Sequence, residues 1–143
     1  MKNILVTLDF EEHNEILLKH ATNMAKNFGS KIWLVHIAME VPDFVGYRVG
    51  PQYIRDGRAE ELRMEHRMLQ SYSEKLKADG IDCDGLLISG ATVEAILTEA
   101  KKLESDLIII GSHEHSFLFE ALLGSTTSLL VKKSRIPLLV IPI

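Results

Sequence analysis

Four short apolar runs punctuate the chain: Asn3 to Leu8, Ile32 to Met39, Leu107 to Ile110 and Ile136 to Ile143. A weaker one, Leu86 to Ser89, lies between the second and third. Runs this short, and this rich in Ile, Val and Leu, predict strands buried on both faces. The stretches between them predict helices. Ile16, Leu17, Ala21, Met24, Ala25 and Phe28 recur at helical spacing, and Gly29 follows as a stop. Leu62, Leu69, Tyr72 and Leu76 form a stripe within the charged segment Arg55 to Asp79, which ends at Gly80. Val93, Ile96, Leu97, Ala100 and Leu103 form another, and Leu122 to Lys133 carries a fourth helix. The order is β-α-β-α-β-α-β-α-β. Such alternation predicts an α/β fold: an open parallel sheet, right-handed crossovers, and helices on both faces.

Composition narrows the function. With 143 residues, 46% of them hydrophobic, the chain is expected to form one domain over residues 1–143 without a metal or disulfide staple. A formal charge of −4 argues against a nucleic-acid surface, which needs concentrated Lys and Arg. The single cysteine, Cys83, makes no intrachain bridge, and its neighbours Asp82 and Asp84 are expected to raise its pKa. No leader and no long apolar run is evident, so a cytoplasmic location away from membranes is the expectation. The one long irregular segment, Glu40 to Tyr53, holds two prolines, two glycines and three aromatics. It reads as a lid or partner-binding loop, or as a loop folding Phe44 and Tyr47 onto the core.

In open α/β sheets ligands bind beyond the carboxyl ends of the strands. The first strand runs out into Asp9, Phe10, Glu11 and Glu12, and the fourth into Gly111 and the segment reaching Thr127. Asp9 there reads either as a helix cap or as a ligand contact. Gly124, followed by Ser125, Thr126 and Thr127, offers N–H groups and hydroxyls suited to phosphate oxygens, or an ordinary helix cap.

This segment resembles the signature of the universal stress protein family: Gly, two residues, Gly, nine residues, then Gly and Ser or Thr. Gly111, Gly124 and Ser125 hold its ends at the right separation. The resemblance extends through Lys2 to Asp9, Gly90 to Ile96, Asp106 to Ser112, Leu122 to Thr127 and Lys132 to Ile141. It implies a Rossmann-like sheet of order 3-2-1-4-5, of the adenine nucleotide alpha hydrolase type. It also implies a site for ATP or another adenine nucleotide, with Mg²⁺ as a possible companion. By position, Asp9 contacts ribose or phosphate and the backbone of Ile37 contacts adenine. Gly111, His113, Gly124, Ser125 and Thr126 line the ribose and phosphates, with Ser112 and Thr127 beside them. Two departures add negative charge: Glu114 replaces the middle glycine, and Glu11 follows Asp9 and Phe10. Thr92 stands where the third helix of the family commonly begins with proline.

Other chemistries fare less well. His113 and His115 supply two metal ligands at most, so no metal is expected; His113 suits a phosphate contact better. His36, within the second strand, reads as a hydrogen-bonded structural histidine. No phosphate-loop, dinucleotide or nucleophile-elbow motif is present. A phospho-acceptor receiver fails for want of an Asp after the third strand and a Lys after the fifth. The last strand, long, apolar and at the sheet edge in the implied order, invites pairing with a second copy. The family resemblance implies a homodimer built on Leu138 to Ile141. The expected protein is a dimeric binding and signalling module without catalytic residues. The alternatives are a protein-interaction module of the same family that binds no nucleotide, and a weak ATPase or phosphotransfer enzyme using Glu114 or the His113/His115 pair.

Overall fold

The computed structural model describes residues 1–38, 52–112 and 125–143, with the backbone alone for 52–54. Within them the chain runs β1 (Asn3–Thr7), α1 (Asn14–Phe28), β2 (Lys31–Ala38), α2 (Gln52–Ala78), β3 (Cys83–Ser89), α3 (Thr92–Lys102), β4 (Leu107–Ser112), α4 (Ser125–Lys133) and β5 (Leu138–Pro142). The strands pair in parallel in the order β3-β2-β1-β4-β5. This is the α/β architecture and strand order expected from the sequence.

Side-chain alternation explains why the central strands are apolar throughout. Ile4, Val6, Leu107 and Ile109 face a core shared with Leu17, Ala21 and Leu69 of α1 and α2. Leu5, Ile108 and Ile110 face the opposite core with Val93, Ile96 and Leu130 of α3 and α4. Each strand residue therefore meets a helix layer, whichever face it takes. Gly29 terminates α1 with φ of 64°, and its N–H donates to Ala25 O.

Polar contacts fix the amino ends of the strands. The Asp106 carboxylate accepts the backbone N–H groups of Lys2 and Asn3, tying the start of β1 to the approach to β4. Those bonds hold Asp106 below the usual carboxylate range. At the β3 edge Lys31 Nζ lies 2.6 Å from Asp84 and 3.6 Å from Asp82. Lys77 reaches the other Asp84 oxygen at 3.1 Å.

Several boundaries differ from the pattern. β3 begins at Cys83, not Leu86, because it is an edge strand whose first residues include the ion-paired Asp84 and the side-chain-free Gly85. β4 continues through Gly111 to Ser112, and β5 begins only at Leu138, after the Ser134 hydroxyl closes a turn onto Ile136. α2 starts at Gln52, so the irregular segment expected to reach Tyr53 gives way to helix before its end. The rest of that segment, with Phe44 and Tyr47, lies outside the described residues. α2 has 27 residues, about 40 Å at 1.5 Å each, against roughly 23 Å for seven residues of strand. Its first turns thus pass beyond the carboxyl edge of the sheet.

Candidate functional site

β1 and β4 are neighbours whose connections leave in opposite directions, toward β2 on one side and β5 on the other. That divergence opens a crevice at the carboxyl edge. A cavity of about 370 Å³ occupies it. Asp9, Ile37, Gly111, Ser125 and Thr126 all line this cavity, although they come from four separated parts of the chain. His113 and Gly124, the other two residues expected there, lie outside the described residues, as do Glu114 and His115.

Asp9 follows β1 and does not cap α1. Its Oδ1 accepts the N–H of Glu11 at 3.0 Å, an Asx turn, while the helix cap is His13, which makes no side-chain capping bond. The turn places Phe10 at φ of 63°, in the left-handed region. Its ring lies 4.1 Å from that of His36, and Phe10 does not line the cavity. The ring thus packs on the imidazole of a residue that lines the cavity.

His36 borders the cavity from β2. Its Nδ1 lies 2.7 Å from Leu8 O, which only accepts, so Nδ1 carries the proton. Nε2 lies 3.8 Å from Glu65 on α2. The histidine is a clamp between β1 and β2, as expected of a structural residue.

Gly111 has a packing reason of its own. A Cβ there would fall 2.5 Å from Ile143 Cδ1 and 3.4 Å from Leu17 Cδ1. The missing side chain lets the C-terminal Ile143, whose N–H donates to Ser112 O, fold over the end of β4. α4 begins at Ser125, and the Thr127 hydroxyl reaches back to Gly111 O at 3.4 Å. The Ser-Thr-Thr run is thereby held against the strand it follows.

Several lining residues were not legible as site residues. Asn14, the first residue of α1, is 2% exposed, and its Nδ2 has no partner among the described residues. Thr92 opens α3 on the same cavity, and Leu17, Ile96 and Ile143 form its apolar floor. A periodicity search counts Leu17 and Ile96 as core, and nothing marks Asn14 within a polar run of helix. Asn14, Thr92 and Ser125 bring three helix N-termini to one cavity, each with its positive dipole end. Asp9 sets a carboxylate against them, with Glu11 and Glu12 following in the chain. The described lining thus combines apolar side chains, hydroxyls, a carboxylate and three helix N-termini. Among the described residues no group of three or more His, Cys, Asp or Glu side chains is placed to hold a metal ion. No helix among them is long and apolar enough to cross a membrane.

The comparisons with known proteins agree with this geometry. The profile of the universal stress protein family matches residues 1–142. Universal stress protein MJ0577 of Methanocaldococcus jannaschii is 28% identical over 98% of this chain and 94% of its own. The solved structure of MJ0577 superposes with a TM-score of 0.75, covering 99% of this chain and 96% of that one, at 29% identity. A universal stress protein in complex with cAMP shares the fold at a TM-score of 0.71 and 18% identity, over 98% of this chain and 96% of its own. One from Archaeoglobus fulgidus in complex with dAMP does so at 0.65 and 20%, over 98% and 97%. Family match and strand order converge: the chain belongs to the universal stress protein family.

Proposed function

We propose that this chain is a cytoplasmic, non-enzymatic signalling module, a single domain over residues 1–143 that binds ATP or another adenine nucleotide. One observation carries the reading: Asp9, Ile37, Gly111, Ser125 and Thr126 meet in a single cavity of about 370 Å³. The complexes of two relatives with cAMP and dAMP support the ligand class. In this reading adenine lies along the β2 backbone at Ile37, and the phosphates lie against the N-terminus of α4 at Ser125 and Thr126. His113 and Gly124 complete the phosphate side. Two copies associate through Leu138 to Ile141. In this reading any hydrolysis of the nucleotide is slow and incidental.

Calorimetric titration with ATP and ADP, with and without Mg²⁺, tests the proposal. Wild type is expected to bind, and Gly124→Glu to abolish binding. Glu114→Gly should bind several-fold tighter, since removing a nearby like charge is worth about 1 kcal/mol. A wild type that binds neither nucleotide, beside a Glu114→Gly variant that does, would mark the site as vestigial and sink the reading.

A further inference from the structure

One residue that lines the cavity carries a polar group that the fold itself leaves unanswered. Among the described residues, the buried side-chain atoms without hydrogen-bond partners are Asn14 Nδ2, Glu65 Oε2 and Ser105 Oγ. Only Asn14 lines the cavity. A buried amide donor without an acceptor destabilises the fold. At 2% exposure Asn14 has no bulk water to answer it. A ligand oxygen placed opposite Nδ2 removes that cost.

The surroundings select the kind of oxygen. Asn14 opens α1, whose N-terminus alone would favour an anion. The turn leading into it, however, carries Asp9, Glu11 and Glu12, whereas Glu15 is paired with Lys75 at 2.9 Å. Three carboxylates ahead of one helix start disfavour a phosphate there. A neutral hydroxyl meets both demands, because it accepts from the amide while donating to a carboxylate. Asp9 is the cavity-lining carboxylate that can take that proton; its Oδ1 already accepts from Glu11 N, and a carboxylate has lone pairs for more.

We infer that Asn14 is a specificity residue that donates from Nδ2 to a sugar hydroxyl whose own proton is directed to Asp9. The inference rests on the nucleotide reading above. There adenine takes the Ile37 side and the phosphates the α4 side, which leaves the sugar for Asn14. Asn14 thereby makes the site prefer a ribonucleotide to the analogue lacking that hydroxyl.

The test titrates AMP, 2′-deoxy-AMP and 3′-deoxy-AMP into wild type and Asn14→Leu. Wild type should bind AMP about 3- to 10-fold tighter than one of the two deoxy analogues. Asn14→Leu should weaken AMP by about that factor and leave the discriminated analogue's affinity unchanged. Its ligand-free melting temperature should equal or exceed that of wild type, since the unanswered amide is gone. Asn14→Ala, which adds no bulk, carries the same binding expectation should Leu prove too large. Equal weakening of all three ligands, or no weakening, overturns the assignment, as does a lowered ligand-free melting temperature in both variants. Wild type that binds none of the three overturns the assignment of Asn14, and the nucleotide reading itself falls only if ATP and ADP fail to bind as well.

Discussion

Cys83 opens β3 fully buried, beneath α2. Its thiol is pushed up to about 11, first by burial, with the Ser73 hydroxyl partly opposing and Asp84 adding a smaller push. Asp82 and Asp84 indicated the direction from sequence, but not the main cause. Sequence shows which carboxylates flank a thiol, not that Lys31 and Lys77 already engage Asp84. A group whose folded pKa is raised keeps its full contribution below the unfolded value, near 9, and loses it as pH rises through the folded value. Between about pH 9 and 11 the wild type should therefore lose on the order of 2–3 kcal/mol through this residue. Cys83→Ala lacks that loss. Denaturation of the two proteins should show wild type ahead at pH 7 and the gap closing or reversing at pH 11; a constant gap would reject the assignment. The same distinction governs the candidate site. Asp9 was readable because it follows an apolar run, whereas Asn14 carries no mark until its burial and missing partner are seen.

At the scale of elements, the apolar runs located every strand because each central strand is covered twice. Their ends were legible only where composition changed abruptly. β3 is the instructive case, since Asp84 and Gly85 interrupt its apolar pattern although both pair with β2. Gly85 is there because α2 crosses it closely: a Cβ would stand 3.2 Å from Leu69 Cβ and 3.3 Å from Leu69 O. Leu69 is fully buried and its backbone belongs to the long helix, so neither atom can retreat cheaply. Gly85→Val should lower stability by about 1–3 kcal/mol through overpacking. A guanidinium midpoint lowered at unchanged denaturant slope would report this. A midpoint within error of wild type would mean that α2 slides on β3. The α4 turn was legible for a different reason. Gly124 and its hydroxyl neighbours form a recognisable signature, yet only the fold brings Ser125 and Thr126 across from Asp9.

Across the whole molecule the sheet has two edges, and they are built differently. β3 carries Asp84, paired to Lys31 and Lys77, at its rim. β5 reads Leu138, Leu139, Val140, Ile141 and Pro142, without a charge. Its inward hydrogen bonds follow from two contacts: Ile108 N–H donates to Pro137 O, and Ile143 N–H donates to Ser112 O. Since strand N–H groups alternate in direction, residues 139, 141 and 143 face β4, while 138, 140 and 142 face outward. Pro142 therefore occupies an outward position and removes no bond from the sheet. Leu138 and Val140 present the outward N–H groups on which the proposed pairing of two copies depends. That asymmetry gives a clean substitution. Val140→Pro deletes an outward donor only, so the monomer should keep its circular dichroism and most of its stability while the dimer is lost. Ile141→Pro deletes an inward donor from the β4–β5 ladder and should destabilise the fold by about 3 kcal/mol. Sedimentation velocity across a hundredfold concentration range is expected to give a dimer for wild type and a monomer for Val140→Pro. A Val140→Pro protein that sediments as wild type does would place any association elsewhere than on the β5 edge.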